Sequence, residues 1–301
     1  MENNPGFKSG FVAMMGRPNV GKSTLLNSLI GTKIAAVSPW PQTTRHRQMG
    51  ILTLPDSQII FVDTPGIHSP IHKLGERMNQ EASGVLNDSD VVLFLVDITG
   101  PPTDEDRLMV DFFVKSRREI PSILALNKID LVDQSTLSNH QSAFQNLVPA
   151  SEVLPISALM NHNLDSLVLT ITRALPENPP YFPDDQLTDT YERDIAADLI
   201  REAVLVNLRA EVPHSIAVRI DEYRERDDKM TYIGATLFVE RDSQKGIVIG
   251  QGGAMLKKIG IVAREEIESI SGRKIYLRLR VKVRKNWRND EAALRLFGFR
   301  N

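Results

Sequence analysis

Eight consecutive residues, Gly16-Arg17-Pro18-Asn19-Val20-Gly21-Lys22-Ser23, have the form GxxxxGK[ST]. In that spacing each residue type has a use on a polyphosphate. The glycines let main-chain N–H groups curl around phosphate oxygens, where a larger side chain would block the approach. Lys22 reaches the β- and γ-phosphates and Ser23 supplies a hydroxyl to Mg²⁺. The helix that continues through Thr24 adds partial positive charge at its N-terminus. An apolar run, residues 11–15, precedes the loop, and residues 24–30 read as a helix, so the loop has the strand–turn–helix setting that a phosphate cradle needs.

Two later motifs extend this chemistry. Asp63-Thr64-Pro65-Gly66 follows the apolar run 59–62. At a strand end Asp63 is placed to hold Mg²⁺ through water, and the Gly66 N–H to sense a γ-phosphate. A bare DxxG is common in turns; behind a phosphate loop it carries weight. Asn127-Lys128-Ile129-Asp130 follows the apolar run 123–126. A carboxylate there accepts from both N1–H and the 2-amino group of guanine, a donor pair that adenine lacks, so Asp130 selects GTP over ATP. Asn127 can tie neighbouring loops together, and the Lys128 stem can lie against the base plane. Ser157-Ala158, after the last strand, places an N–H near guanine O6.

The elements that must position these groups are legible in outline. Apolar runs at 11–15, 59–62, 91–96, 123–126 and 153–156 alternate with amphipathic helical stretches. That is the pattern of an α/β domain with a mostly parallel central sheet covered on both faces, whose ligands bind beyond the carboxyl ends of the strands. Residues 175–185 hold four prolines without helical period and read as a stiff, extended connector. The expected division is a GTPase domain at 8–176, a linker at 177–189 and a second, α+β domain at 190–301.

Composition sets the limits. At 301 residues the chain is long enough for two cores. It has no cysteine, which excludes disulfide scaffolds and thiolate metal sites and suits a reducing compartment. Residues 1–10 are polar and lack the apolar stretch of a secretory signal, and the longest apolar runs are strand-sized. A soluble protein is expected, with peripheral membrane contact left open. The net charge of −2 hides an asymmetry: residues 245–301 carry 14 Lys and Arg against 5 Asp and Glu, a net of +9. A basic end points to a polyanionic partner, with a solvated basic face as the plainer alternative.

That end carries its own motif. Residues 190–210 have helical spacing, 214–222 and 229–240 read as a hairpin around the polar turn 224–228, and 274–285 alternate strictly as a strand. Between them lies Ile247-Val248-Ile249-Gly250-Gln251-Gly252-Gly253-Ala254-Met255-Leu256-Lys257-Lys258-Ile259-Gly260, a GxxG between an apolar turn and an amphipathic helix at 261–271. The flanking pattern, in the order helix, strand, strand, helix, helix, strand, resembles a KH domain of the second type, whose GxxG loop clamps about four nucleotides of single-stranded RNA by their backbone. The resemblance assigns RNA contact to Ile249, Gly250, Gln251, Gly252, Gly253, Lys257 and Lys258. The alternative for the loop is a glycine-rich helix–helix turn. For the basic face of the last strand, RNA contact and a plain solvated face stand level. Trp287 is expected to pack in a short terminal helix rather than to stack on a base.

Taken together, GxxxxGKS, DTPG, NKID and SA resemble the G motifs of the translation-factor-related GTPases, and Gln42-Thr43-Thr44-Arg45-His46-Arg47 is similar to the first switch segment of the Era family. GTPase domain, proline-rich linker and type II KH domain match that family over nearly the whole chain. The resemblance implies a GTP-hydrolysing switch that uses GTP/GDP and Mg²⁺. It also implies binding to the 3′ end of 16S ribosomal RNA and a role in 30S subunit assembly, in a cytoplasmic, monomeric protein with peripheral association at the cytoplasmic face of the cell membrane. It places Mg²⁺ on Ser23, Asp63 and a switch threonine, Thr44 or else Thr43. Ile67 stands where Ras-type proteins carry the glutamine that orients water, so slow intrinsic hydrolysis is expected and no catalytic side chain is assigned. Asn19 is either the holder of a K⁺ ion that replaces an arginine finger or a turn residue chosen for its backbone. His68 and His72 read as loop residues rather than ligands. Two rival classes stand beside this reading: a GTP-dependent RNA-modifying enzyme, for which no catalytic constellation outside the G motifs is visible, and an NTPase whose GxxG domain docks protein, which a salt-dependent RNA-binding assay on Gly253→Asp separates.

Overall fold

A computed structural model describes residues 6–38, 40, 44–67, 70–116, 119–208, 212, 215–227 and 229–299. The chain divides into two compact units, the first comprising Met1–Lys33, Thr44–Ser69 and Met78–Asp189, the second Ile34–Thr43, Pro70–Arg77 and Thr190–Asn301.

The first unit holds six strands: β1 (Lys8–Met15), β2 (Gln48–Leu54), β3 (Ser57–Asp63), β4 (Val91–Asp97), β5 (Ser122–Asn127) and β6 (Glu152–Pro155). Their order is β2-β3-β1-β4-β5-β6, parallel throughout except for β2, which runs antiparallel to β3. All seven residues of β4 are buried, and so are all six of β5. Such strands read as unbroken apolar runs because helices cover both faces of the sheet. The covering helices are α1 (Lys22–Ile30), α2 (Lys73–Asp88), α3 (Asp104–Lys115), α4 (Gln134–Leu147) and α5 (Leu164–Ala174). Because β1, β3, β4, β5 and β6 point the same way, the loops after them emerge along one edge. Every polar motif of this unit lies in those loops.

Two features depart from the sequence expectation. β2 was not anticipated: its seven residues include Gly50 and keep no strict alternation, and what makes them a strand is pairing with β3. The proline-rich stretch is extended, yet it is bound to the first unit along its length. Ser9 N–H donates to Pro176 O at 3.2 Å and Asn178 N–H to Phe7 O at 3.1 Å. The Gln58 side chain, fully buried in β3, accepts from the N–H groups of Tyr181 and Phe182 at 2.8 and 3.0 Å and donates to Phe182 O at 2.9 Å. Further on, Ile51 N–H donates to Leu187 O at 2.8 Å. The prolines supply stiffness, and the backbone groups between them are satisfied by the start of β1, the Gln58 side chain of β3 and the edge strand β2.

The second unit contains α6 (Glu192–Asn207), β7 (Ala217–Asp227), β8 (Met230–Val239), α7 (Asp242–Ile249), α8 (Ala254–Ser271), β9 (Lys274–Val283) and α9 (Glu291–Leu296). β7 and β8 are antiparallel, β9 is parallel to β8 and forms a sheet edge, and α6 and α8 pack on one face. The core holds Leu199, Val204, Ile233, Leu237, Ile259 and Ile267. Three boundaries are corrected. Residues 224–227, read as turn, are strand, because the hairpin pairing continues to Asp227↔Met230. The apolar turn at 247–249 is the last turn of α7. The helix expected from residue 261 begins at Ala254, directly after the glycines. Trp287 is fully buried, its indole N–H donating to Ser215 O at 2.8 Å and its ring edge-on to Phe297. Among the described residues no single helix is long and apolar enough to cross a membrane; α7 and α8 pass that test only as a pair bent by 43°.

Candidate functional sites

The phosphate loop is shaped by backbone that few residues tolerate. Gly21, the N-cap of α1, has φ 104°, and a Cβ there would stand 2.5 Å from the Asn127 side-chain nitrogen. Lys22 folds back along the loop, its Nζ donating to the carbonyls of Gly16 and Arg17 at 2.9 and 3.2 Å. Burial pushes the Lys22 ammonium below its ordinary range, against the pull of Asp63 and with the help of nearby Arg17. A buried lysine at a glycine loop and helix N-terminus concentrates positive charge where a phosphate would bind. Pro18 closes the loop on the other side: it sits about 3.0 Å from where a Cβ on Gly66 would lie. Asn19 is exposed at φ 64°, a conformation asparagine accepts more readily than most residues. Val20 is buried and Thr24, in the first turn of α1, is half-buried.

Ser23, Thr44 and Asp63 come together from three separate stretches of chain. Ser23 Oγ donates to Asp63 Oδ2 at 2.7 Å, Thr44 Oγ1 donates to the same oxygen at 3.2 Å, and the two hydroxyls lie 3.0 Å apart. Asp63 is fully buried; burial raises its carboxyl above the ordinary range despite Lys22 and the two hydroxyl hydrogen bonds. Its second oxygen, Oδ1, is buried without a hydrogen-bond partner. Two hydroxyls and a carboxylate with one orphaned oxygen form an oxygen-only donor set, the chemistry that Mg²⁺ prefers, with room in its shell for water and phosphate. Among the described residues no cluster of three or more His, Cys, Asp or Glu could hold a metal. Thr43, the other switch threonine, and His68 lie outside the described residues. Thr64 Oγ1 donates to Met14 O at 2.9 Å, and the Ile67 side chain is buried in the core with Met49 and Val62.

The base-recognition loops are joined by one amide. Asn127 Nδ2 donates to Val20 O at 2.7 Å while its Oδ1 accepts from Ala158 N–H at 2.9 Å, so a buried side chain bridges phosphate loop and Ser157-Ala158 turn. Asp130 is exposed, and Ser157 Oγ donates to its Oδ1 at 2.5 Å. Pro65 lies buried beneath the same edge.

Sequence reasoning missed the residue that anchors Lys128. Its backbone sits at φ 70°, and its Nζ donates to Asp97 Oδ2 at 2.6 Å. Arg17 lies 3.7 Å from that same oxygen and 3.4 Å from fully buried Asp106, which also caps α3 through Thr103. Burial alone would raise the Asp97 carboxyl, but hydrogen bonds from Lys128 and Thr99 and the Lys128 charge bring it below its usual range. The only signal in the sequence was an aspartate ending an apolar run.

In the second unit the GxxG loop joins α7 to α8. Gly250, Gly252 and Gly253 have φ 72°, 59° and 82°, and a Cβ on Gly250 would lie 2.7 Å from Met255 Cβ. Ile249 ends α7, Gln251 is exposed, and Lys257 and Lys258 project from the first turn of α8. A groove of about 410 Å³ runs from Gly253 between α8 and β9. Lys257 lines it; Ile249, Gln251 and Lys258 do not. Its floor is Leu277 and Leu279, with Ile261 and Arg264 along one wall. Those four were not anticipated as site residues, since in sequence they read as ordinary helix and strand positions.

Comparison with known proteins finds a family model for each half of the chain. A family model described as 50S ribosome-binding GTPase matches residues 11–128, and a KH domain model matches residues 211–288. GTPase Era of Geobacter metallireducens is 47% identical over 300 residues, covering 99% of this chain and all of that protein. GTPase Era of Lacticaseibacillus paracasei is 47% identical over 294 residues, covering 97% and 96%. A crystal structure of Era in complex with MgGDPNP and nucleotides 1506–1542 of 16S ribosomal RNA superimposes with a TM-score of 0.93 at 42% identity, over 98% of this chain and 100% of that one. An Aquifex aeolicus Era variant bound to GDP and AlF4⁻ gives the same values. With a guanine-nucleotide site in one unit and a GxxG groove in the other, the chain belongs to the Era family of GTPases.

Proposed function

We propose that this protein is a GTP-driven switch that binds the 3′ end of 16S ribosomal RNA and assists assembly of the 30S subunit. What supports this above all is the likeness, over 98% of the chain, to an Era bound at once to MgGDPNP and to that RNA. In this reading Gly16 to Ser23 cradle the phosphates, Lys22 leaves its loop carbonyls for the β- and γ-oxygens, and Asp130 accepts from guanine. Ser23 and Thr44 would hold Mg²⁺ directly and Asp63 through water; the ion supplies positive charge to the phosphates. Hydrolysis is slow on its own because Ile67 is committed to the core and orients no water. A K⁺ ion at Asn19 would add the missing charge, and equal rates in K⁺ and Na⁺ buffers would remove that idea.

The output follows from where the switch segments belong. The second unit includes residues 34–43, next to Thr44, and 70–77, just beyond Gly66 and Ile67. Within that unit Arg77 donates to Glu291 at 2.8 Å, with Lys73 3.4 Å from the same carboxylate, and Val37 N–H donates to Glu202 at 3.2 Å. Ordering the switches around a γ-phosphate therefore acts on segments counted with the RNA-binding unit, and the coupling is reciprocal. Fluorescence anisotropy with an RNA of the 1506–1542 sequence tests it: affinity is expected to differ between GDPNP and GDP states, and equal affinities would refute coupling. Asp130→Asn is expected to lose guanine selectivity while keeping phosphate affinity, measured by competition with inosine and xanthosine diphosphates. The protein is further proposed to act as a cytoplasmic monomer with peripheral contact at the membrane, which light scattering and vesicle sedimentation would test.

A further inference from the structure

The groove between α8 and β9 uses only one face of β9. Its inward residues, Leu277 and Leu279, form the floor. The outward face carries Tyr276, Arg278 and Arg280, all exposed, on a strand whose free edge separates the two faces. Tyr276 is paired in register with Tyr232 of β8, and the two rings stack at 5.6 Å and 16°. Tyr276 remains 60% exposed, so the outer surface of that stacked pair is open.

The charges on this face are not uniformly balanced. On the β7 side, Arg219 pairs with Asp221 at 2.6 Å and Arg224 with Glu222 at 2.7 Å. At the start of β9, Lys274 lies 3.7 Å from Glu268, and Lys282 near its end interacts with Asp221. At that end the face is closed over Phe238 by Phe297 and by the Arg219 guanidinium. Arg278 and Arg280 lie between these balanced groups and have no ion-pair partner among the described residues. Two positions apart on a strand, their Cα atoms stand about 6.6 Å apart on the same side. Unpaired like charges beside an exposed aromatic stack contribute nothing to this fold, and they match what a nucleic-acid strand needs: cations for phosphates and a flat ring for a base.

We propose that the outer face of β9 is a second RNA contact surface, in which a strand leaving the GxxG groove crosses the β9 edge, lays its phosphates against Arg278 and Arg280 and stacks a base on Tyr276. The proposal rests on the RNA-binding reading of the groove and extends the footprint beyond the roughly four nucleotides a GxxG loop clamps. The rival occupant, an acidic protein segment, is a distinguishable outcome.

The test compares two synthetic RNAs, one with the 1506–1542 sequence and one of about six nucleotides that fills the groove alone, on the full-length wild type, Arg278→Gln/Arg280→Gln, Tyr276→Leu and Gly253→Asp. The double variant is expected to bind the long RNA about tenfold more weakly, and to lose about 1.5 from the slope of log affinity against log salt, two phosphate contacts' worth. Tyr276→Leu is expected to cost roughly fivefold or more on the long RNA. Both should bind the short RNA, and hydrolyse GTP, as the wild type does. Unchanged affinity and slope on the long RNA would overturn the proposal and leave the face to a protein. Gly253→Asp alone failing to weaken either RNA would instead overturn the groove reading. Should the double variant melt early, photocrosslinking of wild type to 4-thiouridine RNA decides: a crosslinked peptide containing Tyr276 supports the surface, and its absence refutes it.

Discussion

The two sites of this molecule are built on opposite plans. The nucleotide site is a mesh of buried polar side chains drawn from five loops: Asn127 bridges two of them, Asp63 gathers two hydroxyls, and Asp97 and Asp106 fix Arg17 and Lys128. The GxxG groove has almost no such mesh. It is built from three glycines at positive φ, an apolar floor and the cations Lys257 and Arg264 in its lining. A small, highly charged ligand whose shape never varies rewards a preorganised cage, whereas a polymer read along its backbone rewards a smooth surface that main-chain N–H groups can reach. Substitutions should therefore fail differently in the two places.

The most severe effect is expected where the mesh has a single knot. Asn127→Ala leaves the Val20 carbonyl and the Ala158 N–H unsatisfied in a buried setting, at about 1–3 kcal/mol each. Affinity for fluorescent GDP should fall roughly a hundredfold or more, with RNA binding by the second unit retained. A loss under threefold would mean that the loops are held independently of the bridge.

Next comes the contrasting failure. Gly253→Asp puts a carboxylate where phosphates must approach, and RNA binding should drop more than tenfold at physiological salt. GDP affinity should stay within twofold, because this glycine touches no part of the mesh. The glycines also differ among themselves. A Cβ on Gly250 strikes Met255 Cβ and N at 2.7 and 2.8 Å, whereas one on Gly252 meets nothing within 4 Å. Gly250→Ala should thus destabilise the second unit by about 2–3 kcal/mol, and Gly252→Ala by about 1 kcal/mol, the cost of its backbone alone. Urea unfolding followed by Trp287 fluorescence in a Trp40→Phe background reads this directly, and equal costs would show that loop strain, not the Met255 contact, governs the site.

The same contrast explains what could be read from sequence. The GxxxxGKS, DTPG and NKID motifs are local in sequence because each loop follows its own strand, so Gly16 to Ser23, Asp63 and Asp130 could be picked out as candidates from sequence alone. The groove wall did not, because Ile261, Arg264, Leu277 and Leu279 become neighbours only when α8 packs on β9. β2 stayed hidden for a like reason, and Gln58 gave no hint that a proline-rich strap would claim its amide. Glycines mark the GxxG loop but say little about where the next helix begins: the helix expected from residue 261 starts at Ala254, because a left-handed N-cap is what Gly253 supplies.

The smallest effect tests whether the mesh extends to Asp97. Its carboxyl lies below the ordinary range in the folded protein, so it binds its proton less readily there than in the unfolded chain. The stability it contributes is then fully present above the unfolded carboxylate pKa and is lost as pH falls toward the lower folded value. Asp97→Asn should lower the melting temperature of the first unit at pH 7 by an amount equivalent to about 0.5–1 kcal/mol, given partial exposure and screening. The gap from wild type should close on acidification below about pH 4. A constant gap at all pH values would show that Asp97 acts there through packing, and that Lys128 is positioned by its own left-handed backbone rather than by charge.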